Sequence, residues 1–326
     1  MPVYPDKQNL LLWLDETRST RPVQTPAEWA KRRLHILENF QKVAGPLPAL
    51  RRGTPAVEVL DEERLPGVIR RKIRYEAELD DWVPAYLLLP EVSGPLPAAL
   101  ALHQTIRIGK AEPAGLGRNV HLHYGLELAR RGCVVLAPDY PGFGDSRTDP
   151  YARGYLSATM KGIVNHTRGV DLLVSLPQVD RGRIGCIGHS LGGHNTLFAG
   201  LFDERIRRLV TSCGFNAFAH YLGGDLTGWS HRGYMPRIAS EYGRAAARVP
   251  FDFTEVLAAL APRTVFINAP LRDTNFDVAG VRACLAAAGP VFALFSATER
   301  LQSVHPDAGH EFPQAIREQA YGLLAA

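Results

Sequence analysis

The sequence predicts an α/β protein: a mostly parallel sheet of the eight-stranded type, with helices on both faces. Three observations predict it. From about residue 98 onward, short apolar runs alternate with longer helical patterns, the signature of parallel strands buried on both sides. One of these runs, 184–187, leads directly into Gly188-His189-Ser190-Leu191-Gly192-Gly193 and then a helix. The 326 residues, 46% hydrophobic and 21% charged, suffice for one large core or two modest ones.

In chain order, residues 1 to about 50 read as helical and amphipathic. Thr25-Pro26-Ala27-Glu28 supplies an N-cap, a proline at the first helical position and an acidic first turn. Trp29, Arg33, Ile36, Leu37 and Phe40 then recur at helical spacing until Gly45-Pro46. The segment is too short for a core of its own. It is therefore expected to be an N-terminal helical arm, 1–56, on a main domain, 57–326. Strands follow at 68–75 and 83–89, joined by a turn at 79–82. The alternating part comprises strands at 98–102, 133–137, 184–187, 209–213, 264–268 and 291–295. Its helices are expected at 122–131, 161–176, 192–201, 253–260, 278–288 and 313–324.

One stretch breaks this rhythm. Residues 214–250 are long for a connection and carry Phe215, Phe218, Tyr221, Trp229, Tyr234 and Tyr242 among many glycines. A lid or pocket wall is expected there, with Trp229 and Tyr234 facing the substrate; a purely structural excursion is the alternative.

Composition excludes several function classes. The net charge is only +4, with no basic stripe interleaved with aromatics, so no nucleic-acid partner is expected. No apolar run is long enough to span a membrane. Leu10 to Leu14 is broken by Asp15 and Glu16, so it is no secretory segment, and a cytoplasmic location is expected. The four cysteines are scattered, without a C-x-x-C pair, and read as reduced core thiols. His121-x-His123 is weak evidence for a metal, because residues two apart on a helix point apart. Neither a metal nor a cofactor is expected.

The chemistry is concentrated at Gly188-His189-Ser190-Leu191-Gly192. Between a strand and a helix, this spacing forms a tight, strained turn that lifts the serine hydroxyl to the carboxyl edge of the sheet. Glycines two before and two after the serine let the backbone close up. A serine hydroxyl needs a base, and in such folds the acid and then the histidine follow in sequence. His310, with His305 as rival, fits the base. Asp273, with Asp277 as rival, fits the acid leaving strand 264–268; whichever aspartate is not the acid is expected to cap the next helix. The amide of Leu191 and one from the loop His103-Gln104-Thr105, Thr105 first and Gln104 second, would form the oxyanion hole. His103, His189 and His194 are given structural roles.

These motifs resemble the α/β-hydrolase superfamily over nearly the whole chain, from about Val57. Within it they resemble the dienelactone-hydrolase-like and acetyl-xylan-esterase-like group related to prolyl-oligopeptidase catalytic domains. The residues that carry the resemblance are His103-Gln104-Thr105 with Gly109-Lys110, the run Ala137-Pro138-Asp139-Tyr140-Pro141-Gly142-Phe143-Gly144-Asp145-Ser146, Gly188 to Gly193, Asp273, and Gly309-His310-Glu311-Phe312-Pro313. Gln104 stands where many relatives have glycine, and Ser190 where classical dienelactone hydrolases have cysteine. The resemblance implies a serine carboxylic ester hydrolase acting on a small or sugar-linked ester through an acyl-enzyme, with deacetylation among the reactions it covers. A serine peptidase or amidase of the prolyl-oligopeptidase type, and an inactive hydrolase-like binding protein, are the alternatives.

Overall fold

A computed structural model describes residues 3–50 and 53–326. The chain begins with a small hairpin, β1 (Leu12–Leu14) and β2 (Thr20–Pro22), which corrects the expectation that residues 1–50 are helical throughout. Leu12 and Leu14 sit in a run too short for a helix before Asp15 and Arg18 turn the chain; Arg18 adopts a φ of 63°. Helix α1 (Pro26–Ala44) follows with a complete capping box: the Thr25 side chain accepts from the Glu28 N–H, and the Glu28 carboxylate reaches back to the Thr25 N–H.

Among the described residues, nine strands build the main sheet. Besides β3 (Val57–Leu65), β4 (Val68–Glu78), β5 (Asp81–Pro90) and β6 (Leu96–Leu102), they are β7 (Val134–Pro138), β8 (Val179–His189), β9 (Ile206–Ser212), β10 (Thr264–Asn268) and β11 (Leu301–Val304). Their order is β3-β4-β5-β7-β6-β8-β9-β10-β11. The first three pairings are antiparallel and the rest parallel. Strand β3 lies beyond the sequence expectation. Its run Val-Glu-Val-Leu-Asp-Glu-Glu-Arg-Leu is almost wholly exposed, because it is an edge strand held by ion pairs to β4 such as Glu62–Arg71 and Glu58–Arg74. No hydrophobic alternation was needed to place it.

The helices α2 (Tyr124–Arg130), α3 (Ala158–Ser175), α4 (Leu191–Phe202), α5 (Arg237–Ser240), α6 (Phe253–Ala258), α7 (Val278–Leu294) and α8 (Gln314–Ala325) connect the strands. Helices α2 and α8 cover one face of the sheet; α1, α3, α4, α6 and α7 share the core on the other. The expected strand at 291–295 is not one. Cys284, Ala287, Ala288, Val291 and Phe292 are all buried at helical spacing, so α7 runs on through Pro290 and burial overrides the break that Gly289-Pro290 suggests. The terminal strand is β11, whose central residues are exposed.

Helix α1 is not a loose appendage. Trp29, Ile36 and Phe40 are fully buried, and the Phe40 ring lies 4.9 Å from those of Phe198 in α4 and Phe251. The buried Arg32 guanidinium meets Glu255 of α6 at 2.6 Å.

Candidate active site

The register of the parallel strands brings five strand ends to one edge. Leu102 pairs with Gly188, His189 with Ser212, Ser212 with Asn268 and Asn268 with Val304. The loops leaving β6, β8, β9, β10 and β11 therefore open side by side. They do so where the winding reverses, with β7 on one side of β6 and β8 on the other, which is where open α/β sheets place ligands.

Ser190 follows β8 and is the N-cap position of α4. Its φ of 53° and ψ of −116° form a strained conformation for a residue with a side chain. Its N–H donates to the Ser212 carbonyl at 2.8 Å, and its own carbonyl accepts from Gly193 at 2.8 Å, so the backbone on both sides fixes the turn. A Cβ at Gly188 would collide with the backbone of Gly192, and one at Gly192 with the Leu102 carbonyl. Only glycine fits either position.

His310, in the loop between β11 and α8, donates from Nδ1 to Asp273, 2.9 Å from Oδ2 and 3.0 Å from Oδ1. Asp273 lies in the loop after β10 and also accepts from the N–H groups of Asn275 at 2.9 Å and Phe276 at 3.1 Å. Burial works against its charge, but the His310 bond and the two backbone donors outweigh it, and its pKa is lowered. Asp277 instead accepts from the Ala279 N–H and caps α7. His305 engages the Ala269 carbonyl at 2.9 Å through Nδ1. The Ser190 hydroxyl makes no hydrogen bond among the described residues, and His310 engages its partners only through Nδ1, leaving Nε2 free.

Leu191 follows the serine in the chain, and Thr105 lines one cleft with it. The N–H of Leu191 opens α4 and has no intrahelical acceptor. In the loop after β6, His103 Nδ1 lies 2.7 Å from the Gln104 carbonyl, while its Nε2 accepts from the Tyr140 N–H at 3.0 Å. Tethering the Gln104 carbonyl turns the N–H of the same trans peptide, that of Thr105, the opposite way. Burial holds the His103 pKa down, consistent with the neutral ring these two bonds require.

His189 and His194 flank the serine but are occupied elsewhere. His189 Nδ1 meets Ser212 Oγ at 2.9 Å, and His194 Nδ1 meets the Gly214 carbonyl at 3.1 Å. Burial pushes both pKa values down to about 3. The His189 ring packs against that of His310, with centroids 4.9 Å apart.

The 214–250 stretch returns over the site. Trp229 and Tyr234 line a cleft of about 70 Å³ together with Ser190, Thr105, His194 and Phe276. Trp229 is also a core residue, 2% exposed, with its ring 4.8 Å from His194 and 5.1 Å from Phe253.

Two features of the site escaped sequence reasoning. Cys213, the first residue after β9, has its sulfur within 4.8 Å of ligand atoms of Asp273 and His310; burial and then the Asp273 charge push its thiol pKa well up. Its only sequence signal is its place at a strand end. The buried Lys110 ammonium meets Asp139 at 2.6 Å, and Asp139 also accepts from the N–H groups of Lys110 and Asp145 at 2.8 Å each. This cluster fixes the 139–146 loop beside the nucleophile, and nothing local in the sequence pairs a lysine with an aspartate 29 positions on. His121 is exposed, and His123 bonds the Gly117 carbonyl at 2.9 Å; the two share no ligand geometry. No helix among the described residues is long and apolar enough to cross a membrane.

Comparison with known proteins bears on the fold. YtaP of Bacillus subtilis (strain 168), named as a hydrolase, is 26% identical over 256 residues, covering 74% of this chain and 82% of that protein. The glucuronoyl esterase from Solibacter usitatus superposes with a TM-score of 0.74 at 20% identity, covering 99% of this chain and 98% of that one. Acetyl xylan esterase 1 from Thermoanaerobacterium sp. JW/SL YS485 superposes with a TM-score of 0.56 at 19% identity, over 89% and 92%. These structures share the fold. The model of the alpha/beta hydrolase family matches residues 114–320, a span that includes Ser190, Asp273 and His310, and the chain belongs to that family.

Proposed function

We propose that the protein is a serine carboxylic ester hydrolase acting on a small or sugar-linked ester through an acyl-Ser190 intermediate. One observation carries the reading: a strained serine at a strand end shares its edge of the sheet with a histidine whose Nδ1 is held 2.9 Å from a buried aspartate. In this reading His310 Nε2 takes the Ser190 proton as Oγ bonds the acyl carbon. The N–H groups of Leu191 and Thr105 receive the oxyanion. His310 then protonates the departing alcohol oxygen as the C–O bond breaks. Water, deprotonated by His310, releases the acid and restores Ser190. Asp273 keeps the imidazole in the required tautomer and stabilises its charged form. Trp229 and Tyr234 wall the acyl side, and the small cleft favours short acyl groups such as acetyl. The fold shared with two carbohydrate esterases supports an ester over an amide.

Labelling with a fluorophosphonate, followed by p-nitrophenyl esters of graded acyl length and a prolyl anilide, tests this. Ser190-dependent labelling and turnover of short esters are expected. Absence of labelling, or a preference for the anilide, would overturn the reading.

A further inference from the structure

Cys213 has no part in the acyl-transfer steps, yet it stands against both the acid and the base. It follows β9 with a φ of 48°, a left-handed conformation uncommon for a residue with a side chain. Its N–H donates to the Asn268 carbonyl at 2.9 Å, which ties this turn to β10, the strand that leads to Asp273. Its thiol donates to the Glu311 carbonyl at 3.3 Å, one residue beyond His310. The sulfur, a carboxylate oxygen of Asp273 and a ring nitrogen of His310 all lie within 4.8 Å of one another.

We propose that these three side chains bind a thiophilic divalent cation such as Zn²⁺ and that the bound metal reversibly switches the enzyme off. The effect on turnover rests on the serine-esterase reading above; the binding rests on the geometry of the three ligands. Thiolate, imidazole and carboxylate are ligand types that Zn²⁺ takes, and three protein ligands with an open fourth position make a usable set. Tetrahedral bonds of about 2.0 to 2.3 Å place ligand atoms roughly 3.5 Å apart, so the site closes by movements of about 1 Å. The His310 side chain, 31% exposed and carried on a loop, has room to make them. A pocket of about 180 Å³ lined by His310 and Glu311 opens this side of the ring to solvent.

The exchange of protons for metal leaves no buried acceptor stranded. When the thiol proton departs, the Glu311 carbonyl still accepts from Asn268 Nδ2 at 2.9 Å. When the Nδ1 proton departs, Asp273 Oδ1 still accepts from the Asn275 and Phe276 N–H groups, and Oδ2 turns its lone pair to the metal. The metal bonds Sγ, Nδ1 and Oδ2. The thiol and Nδ1 each lose a proton to solvent, and Nε2 takes one up, so one proton is released per metal and the imidazole stays neutral. That tautomer carries its proton on Nε2 and has no lone pair there for the Ser190 proton. Turnover stops until a chelator removes the metal.

The test titrates Zn²⁺ and Cd²⁺ into the full chain, with each protein compared with its own metal-free rate on p-nitrophenyl acetate. The wild type should lose turnover and regain it with a chelator. Cys213→Ser and Cys213→Ala should need at least about tenfold more metal, the loss that even an outer partner of a metal ligand causes. Ser190→Ala, which lacks the nucleophile, should still bind Cd²⁺ and show the ultraviolet sulfur-to-cadmium charge-transfer band, and both Cys213 variants should lack it. Equal metal sensitivity in wild type and Cys213 variants, a Ser190→Ala protein without the band, or a band that forms while the wild-type rate is unchanged overturns this inference alone. Absence of ester turnover in the metal-free wild type overturns the esterase reading and, with it, the switch.

Discussion

Asp273 and His310, 37 residues apart in sequence, are joined by a two-pronged contact of 2.9 and 3.0 Å, and the same carboxylate is anchored by the N–H groups of Asn275 and Phe276. The acid is thus fixed by its own loop before it orients the histidine. Asp273→Asn should lower kcat by about 10⁴-fold while the fold persists, because the amide favours the wrong imidazole tautomer. Asp277→Ala should cost about 1 kcal/mol of stability through the lost α7 cap and leave turnover near wild type. Steady-state kinetics and thermal melts of the two variants separate the roles; a reversed pattern would transfer the acid to Asp277.

Ser190→Ala should abolish ester turnover and fluorophosphonate labelling, since members of a triad act as one unit. Ser190→Gly should do the same and also raise stability by about 1 to 3 kcal/mol, because glycine relieves the strain at a φ of 53°. Denaturant melts of the three proteins check this. A glycine variant less stable than the wild type would show that the turn carries no strain.

Trp229 joins the Ser190 cleft to the core. Trp229→Ala should cost about 3 to 5 kcal/mol and widen the acyl side, shifting the kcat/KM optimum toward longer acyl groups. Melting curves and a p-nitrophenyl ester series report both effects. A lower melting temperature with an unchanged acyl-length ranking would reduce the residue to a structural role.

Acid should destabilise the protein through its buried neutral histidines. Burial holds His166, His189 and His194 at pKa values of about 3, against about 6.5 in the unfolded chain. A folded-state pKa depressed in this way contributes stability that is complete above pH 6.5 and is lost as pH falls toward 3. The loss by pH 5 is roughly 2 kcal/mol per histidine. Urea melts between pH 8 and 5 measure the slope, and a stability independent of pH over that range would contradict the buried neutral rings.

The sequence by itself determined the parallel α/β plan, the helix start at Thr25 and the glycines around Ser190. Each of these is local: capping, a period of apolar residues, or a turn whose sterics only glycine satisfies. It also indicated Asp273 and His310 by their order after successive strands. Tertiary structure decided what depends on neighbours distant in sequence. Edge pairing through Glu and Arg made residues 57–65 a strand without an apolar pattern, and burial at helical spacing carried α7 through Pro290. The bond from His103 to the Gln104 carbonyl turned the Thr105 amide, and the register of β6 to β11 set Cys213 beside the acid. The cleft at Ser190 arises from the serine turn and the returning 214–250 stretch, whose spacing in space no local rule encodes.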